Sequence, residues 1–221
     1  MAEKHGKTGG VYAASAIRRA TTISFTGPAT ISDSANGFVT AGFVQAMKIV
    51  VIGSDANNNT YTIATGGVAA GAITTTGTPN TANESAGDLV TIYQAPAGSA
   101  VAGFYNWKLD WKSDVAEVTD FGSSGAREYI AGVKEWTATA ERFWQTTDNI
   151  WAGTGIGTLQ WVRFFTRYVA SPSGGDPAHF YEGLAEVKTI NYRSPSDDAV
   201  KQTFEFQGIG ALTSTVKTAA W

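Results

Sequence analysis

The chain has 221 residues, of which 43 % are hydrophobic, 12 % aromatic and only 16 % charged. That supports a sizeable core and excludes a disordered polyelectrolyte. A net charge of −3, from 16 Lys and Arg against 19 Asp and Glu, lacks the basic footprint of a tight nucleic-acid binder.

Cysteine is absent, which excludes disulfides, thiolate metal sites and Cys nucleophiles. With two histidines, His5 and His179, a multi-His metal site within one chain is not expected. A low-charge chain with 25 glycines suits a protein that buries surface against copies of itself. The apolar stretch 11–17 is too short and too rich in Ala and Ser for a signal-peptide core, so synthesis and assembly in a cytoplasm are expected. The run 43–52 is interrupted by Gln45 and Lys48 and is too short to span a membrane.

Composition changes near residues 20 and 100. Residues 21–99 carry only Asp33, Lys48, Asp55, Glu84 and Asp88 as charges and contain no Trp, whereas residues 100–221 hold all seven Trp. In the first region, strands are expected at 22–25, 47–52, 60–64, 72–75 and 89–93, separated by turn clusters such as Gly53-Ser54-Asp55-Ala56-Asn57-Asn58-Asn59. Short strands at this density suit a small closed or half-closed barrel. In the second region the strands are longer. Residues 104–111 alternate, with Tyr105, Trp107, Leu109 and Trp111 on one face and Asn106, Lys108 and Asp110 on the other. A short turn then leads to a strand at 115–119. Residues 133–144 place Trp136, Ala138 and Ala140 opposite Glu135, Thr137, Thr139 and Glu141. Strands follow at 159–168, 180–192 and 200–206, the last two forming a hairpin across 194–198. In the final strand Lys201, Thr203, Glu205 and Gln207 oppose Val200, Gln202, Phe204 and Phe206. One short helix is expected at 147–152, capped by Thr147 or Asp148. The fold class is therefore mainly β. It divides into an N-terminal lead at 1–20, a small inserted β-barrel-like domain at 21–94 and a β-sandwich or barrel domain at 95–221.

No catalytic, cofactor or metal site emerges, and an enzyme is not expected. Gly153-Thr154-Gly155-Ile156-Gly157 lacks the Lys-Ser/Thr of a phosphate loop. His5 lies in a lead and His179 beside a Gly-rich turn, so a general base is not indicated. The carboxylate pairs Asp197/Asp198 and Glu182/Glu186 read as solvated turn or face unless burial raises a pKa. The stripe Tyr105-Trp107-Leu109-Trp111 reads as a packed sheet face, in the core or at a subunit interface, with a stacking platform for sugars or bases as the alternative.

The residues Ala102-Gly103-Phe104-Tyr105-Asn106-Trp107-Lys108-Leu109-Asp110, followed by Ala116-Glu117-Val118-Thr119-Asp120-Phe121-Gly122, resemble the first core hairpin of phage tail tube proteins of the long, non-contractile type. Val133-Lys134-Glu135-Trp136-Thr137-Ala138-Thr139-Ala140-Glu141 is similar to the same family. So is the close Phe206-Gln207-Gly208-Ile209-Gly210-Ala211-Leu212. The resemblance covers about residues 100–215 and the lead. Residues 21–93 resemble a small β module of phage virion proteins through Ile31-Ser32-Asp33-Ser34, Asn59-Thr60-Tyr61-Thr62-Ile63-Ala64 and Glu84-Ser85-Ala86-Gly87-Asp88-Leu89. Its position near the N-terminus departs from the commoner C-terminal placement.

The resemblance implies homohexameric rings stacked into a tail tube, a structural virion component assembled in the host bacterial cytoplasm. Double-stranded DNA would pass through it without specific binding or any membrane contact. The implied partners are further copies of the chain, a tape measure protein, and tail terminator and tip proteins. Glu135, Thr137, Thr139, Glu141, Lys201, Thr203, Glu205 and Gln207 then become candidates to line the bore, the alternative being a solvated exterior. Asp120, Phe121, Arg127 and Asp176 become candidates for ring stacking. The insert would decorate the exterior or bind surface sugars through avidity. Two alternatives remain open: a carbohydrate-binding adhesion protein, and another ring protein of the same fold, such as a baseplate hub or secretion tube.

Overall fold

The computed structural model describes residues 10–77, 82–95, 104–117, 127, 129–143, 155–169, 171–194 and 199–219. Among them all helix and strand assignments are strand, in two antiparallel sheets. The chain divides into two units, Met1–Tyr12 with Ala100–Ala220, and Ala13–Ser99. The helix expected at 147–152 and the turn at 195–198 lie outside the described residues.

The first unit is a six-stranded sheet. It contains β1 (Gly10–Ala13), β9 (Phe104–Glu117), β10 (Tyr129–Phe143), β11 (Leu159–Arg167), β12 (Ala178–Arg193) and β13 (Lys201–Lys217), in the order β1-β11-β12-β13-β10-β9. Four inter-strand steps separate β11 from β9, about 19 Å in a flat sheet. Yet Phe164 of β11 lies 5.6 Å from Trp107 of β9 between ring centroids, and 6.1 Å from Phe206 of β13. The sheet therefore folds back on itself, and β11 covers the apolar face of the long strands. The alternation in β10 and β13 explains why that face exists: Trp136, Ala138, Ala140, Phe204 and Phe206 are all buried.

The fold-back turns on one close approach. The Trp136 indole lies across β13 and β12, so close to Gly208 that a Cβ there would overlap the ring; a Cβ at Gly183 would come within 2.8 Å of Cζ2. This explains the closing sequence Phe206-Gln207-Gly208-Ile209-Gly210-Ala211-Leu212. Gly208 makes room for the indole. Gly210 has φ +77 and sits where the β12 register jumps from Glu182 opposite Thr213 to Leu184 opposite Ile209. Leu212 returns to the core. Beyond Thr137 opposite Gln207, β10 pairs with β9 alone and β13 with β12 alone, so the sheet forks there.

Two strands differ from expectation. β9 runs unbroken through Lys112-Ser113-Asp114, where a turn is expected, because Lys112 and Ser113 pair with Glu135 and Lys134. At its start a bulge shifts the register, so that Asn106 faces Glu141 but Phe104 faces Arg142. Phe104 therefore takes the inner position against Phe204, and Tyr105 turns out to meet Phe143 at 4.7 Å.

The second unit is a seven-stranded sheet in the order β2-β8-β5-β6-β7-β4-β3. Its strands are β2 (Ile17–Ala20), β3 (Ile23–Thr26), β4 (Thr30–Asp33), β5 (Lys48–Ile52), β6 (Thr60–Ala69), β7 (Ala72–Thr76) and β8 (Val90–Gln94). Phe25, Ile31, Ile49, Val51, Tyr61, Ile63, Ile73 and Ile92, from strands along nearly the whole sheet, share one core cluster, so the sheet is rolled.

β2 lies within the span expected to belong to the lead, but it pairs with β8. β2 carries two arginines in four residues. One of them, Arg18, is neutralised by the buried Asp33 of β4 at 2.8 Å, which joins β2 to a strand five steps away in the sheet order. Asp33 also accepts from Thr22 Oγ1 and from the backbone N–H groups of Ala35 and Gly37, both at 3.0 Å. Burial pushes its pKa up, but the hydrogen bonds from Thr22, Arg18, Ala35 and Gly37 together hold it below the usual carboxylate value.

Gly208→Ala is expected to destabilise by about 1–3 kcal/mol through overpacking, read as a lower urea midpoint at unchanged m-value. A lowered folded pKa means that the Asp33 contribution is complete above the unfolded value of about 4 and is lost as pH falls through the folded value. Asp33→Asn is therefore expected to cost about 3 kcal/mol at neutral pH and to flatten part of the loss of stability below about pH 4. Urea denaturation across that pH range measures both.

Candidate functional site

The opposite face of the long strands carries the chemistry. In β10 and β13 the register sets Thr137 against Gln207, Thr139 against Glu205 and Glu141 against Thr203. Residues on two strands 60 or more positions apart thus form one polar surface, extended by Glu135 at one end and Lys201 at the other. β9 adds Asn106, Lys108, Asp110 and Lys112, opposite Glu141, Thr139, Thr137 and Glu135. β12 adds Glu186, Thr189, Asn191 and Arg193, opposite Gln207, Glu205, Thr203 and Lys201. The β12 residues are missed by simple alternation because a bulge between Val187 and Thr189 reverses the faces.

The signs on this surface nearly cancel. Lys108, Lys112, Lys201 and Arg193 stand against Asp110, Glu135, Glu141, Glu186 and Glu205, one negative charge in excess. Lys108 Nζ meets Asp110 Oδ2 at 2.8 Å as an ion pair, and Asn106 Nδ2 donates to Glu141 Oε2 at 3.1 Å. Lys201 Nζ lies 6.0 Å from the Phe143 ring centroid. Glu135 is exposed and the other seven bore candidates are half-buried. A surface of this kind hydrates well and offers no run of cations to hold a polyanion.

The stacking candidates are not gathered in one place. Asp120 and Phe121 lie outside the described residues. Arg127 is exposed and faces Glu117, the last residue of β9, at 3.8 Å. Asp176 lies in the β11–β12 turn, closed by reciprocal backbone bonds with Ser173 at 3.1 Å, and pairs with Arg167.

The other candidate chemistries are taken up by structure. The aromatic stripe is broken: Tyr105 is displaced by the bulge, Trp107 packs on Phe164, and Trp111 is exposed. Glu182 and Glu186 do not form a carboxylate pair. Glu182 accepts from Arg163 Nη2 at 2.6 Å and Trp161 Nε1 at 3.2 Å, while Glu186 belongs to the polar face. The Arg163 guanidinium also lies 3.9 Å from the Phe180 ring centroid. Burial pushes the nearby Tyr12 hydroxyl up to about 12, with Arg163 pulling it the other way. In the seven-stranded unit, Asp55, Glu84 and Asp88 offer carboxylate oxygens within 4.8 Å of one another. Glu84, however, already accepts from Ser54 Oγ, the Asp55 N–H and Asn57 Nδ2. Burial raises its pKa, and these donors outweigh that and hold it down.

No family model matches the chain, and no curated protein does. Among solved structures it is similar to a chain from the tail of an empty gene transfer agent particle, obtained by helical refinement with C6 symmetry. The identity is 16 % and the TM-score 0.43, over 55 % of this chain and 91 % of that one. It is also similar to a chain from the virion of a native gene transfer agent particle, with 16 % identity and a TM-score of 0.42, over 53 % of this chain and 88 % of that one.

The two kinds of ion pair should separate in solution. Asp110→Asn, which removes the exposed pair with Lys108, is expected to change stability by less than about 0.5 kcal/mol. Glu182→Gln, which leaves the buried Arg163 without its carboxylate, is expected to cost about 3 kcal/mol. Parallel urea titrations of the two variants test the contrast.

Proposed function

We propose that this chain is a structural subunit of a phage tail, in which copies join into rings and rings stack into a tube that conducts the genome into the host. The observation that carries this reading is the register of β10 with β13 and β9 and of β13 with β12, which joins the eight bore candidates to residues of β9 and β12 in one polar face of nearly balanced charge. The sequence resemblance supplies the ring of six. Four long strands from each of six copies make 24 strands. At about 4.8 Å spacing and a tilt near 40°, the barrel measures roughly 40–50 Å across at the backbone, wide enough for a duplex of about 20 Å after side chains are added.

The role is structural rather than catalytic, and the location is the virion tail, assembled in the bacterial cytoplasm. Tape measure, terminator and tip proteins are the partners that such a tube requires. The fork gives stacking a physical basis. Past Trp136 the β9–β10 arm is only two strands wide and exposes Val115, Tyr129, Ile130 and Val133. A two-stranded arm with exposed apolar side chains gains stability from a further chain. The seven-stranded unit decorates the outside of the tube.

Electron microscopy across a concentration series tests the reading. Six-fold rings or tubes with a central hole wide enough for a duplex are expected. A monomer that still fails to polymerise with a tail-tip initiator overturns it. Glu135→Lys with Glu141→Lys is expected to assemble normally but slow DNA release from particles; normal release kinetics would remove this face from the bore. Replacing residues 14–98 by a short linker is expected to leave tubes intact. A cut at 21 would instead strand β2 without its partner β8.

A further inference from the structure

The four long strands present two edges that no described residue pairs. One is the outer edge of β9 along residues 106–114, which pair with β10 alone. The other is the far end of β12. There β11 covers residues 179–186, the backbone of Gly157 and Thr158 holds Val187, and residues 188–193 pair with β13 alone. Open strand edges are templates for another strand. Each of these ends on an exposed aromatic, Trp111 at 53 % and Tyr192 at 64 %. Both rings lie on the apolar face, opposite the buried Trp136 and Gln202. The apolar face thus continues to both edges and stops there uncovered.

We infer that β9 of one copy pairs with residues 188–193 of β12 in the next, with Trp111 opposite Tyr192. This rests on the ring reading and names its interface. Three independent features agree. The strands β9, β10, β13 and β12 alternate in direction, so β12 of a neighbour meets β9 antiparallel and the alternation continues round a closed ring. Setting Tyr192 opposite Trp111 also sets Arg193 opposite Asp110. With Lys188 extruded by the β12 bulge, it lies beside Asp114, so both acidic residues of the edge meet cations.

The third feature is the tilt. Within one copy Asn191 shares a row with Asn106, through Thr203 and Glu141. In the inferred pairing it meets Lys112 of the neighbour, a stagger of six residues per copy. Six residues rise about 20 Å along a strand, while four strands span about 19 Å across, a tilt of about 45°, at the edge of the range that closed barrels adopt. Nothing in the choice of the aromatic pair required this.

The chain has no cysteine, so introduced thiols report only on themselves. Lys112→Cys combined with Asn191→Cys is expected, on oxidation, to give a covalent ladder ending in a closed ring, and neither single variant is expected to link. Rings seen by microscopy without the ladder would overturn this interface and leave the ring reading standing. Absence of both rings and ladder would remove the ring reading and the inference with it. Dimers from Lys112→Cys alone would mean that β9 pairs with its own copy about a two-fold axis, and would also overturn the inference. A second readout is charge exchange: Asp110→Arg and Arg193→Asp each weaken ring formation at least tenfold in critical concentration, and together restore it. Failure of the combined variant to recover would reject the register.

Discussion

The placement of the Trp136 indole over Gly208 and Gly183 governs the larger unit. It occurs where β10 leaves β13, so one side chain both seals the core and marks the fork. With glycines beneath it, a large apolar surface reaches across three strands. On one side of that point β9, β10, β13 and β12 form a continuous four-stranded surface. On the other, the hairpin arm and the β12–β13 pair separate. The polar face, its two open edges and the projecting arm all follow from where that ring sits.

Much of this was legible from residue alternation. β10 and β13 each carry seven or more residues of strict inside–outside patterning, which a half-buried sheet imposes. The eight polar residues of those strands were therefore identifiable singly, while their union into one surface needed the register. What escaped was set by single-residue events. The bulge at Tyr105 exchanges Phe104 for Tyr105 on the inner face, and the bulge before Thr189 moves Asn191 and Arg193 to the polar face. A bulge costs one residue and leaves no compositional mark when neither flanking residue is glycine.

The short strands of the smaller unit were legible as apolar runs, and β4 and β2 were not. β4 is Thr-Ile-Ser-Asp, three of four residues polar, and β2 is Ile-Arg-Arg-Ala. Both are held by long-range chemistry rather than local preference: Asp33, at the end of β4, binds Arg18 of β2. Burying a carboxylate is unfavourable unless it is fully satisfied, and Asp33 is satisfied by one guanidinium, one hydroxyl and two peptide N–H groups. Such a node fixes which strands meet, and its residues carry no periodic signature.

The near-cancellation of charge on the polar face has a hydrodynamic meaning. Lys108 and Asp110 lie 2.8 Å apart, and Lys112 and Glu135 stand directly opposite each other in register, closer than the Debye length of about 8 Å at physiological salt. If this face lines a bore as proposed, their fields fade by mutual cancellation at the distance of a central duplex before ions screen them. Each group nonetheless binds its own water tightly. A polymer moving along such a wall shears a layer of solvent rather than breaking contacts with protein, so friction is set by water viscosity and changes little with ionic strength.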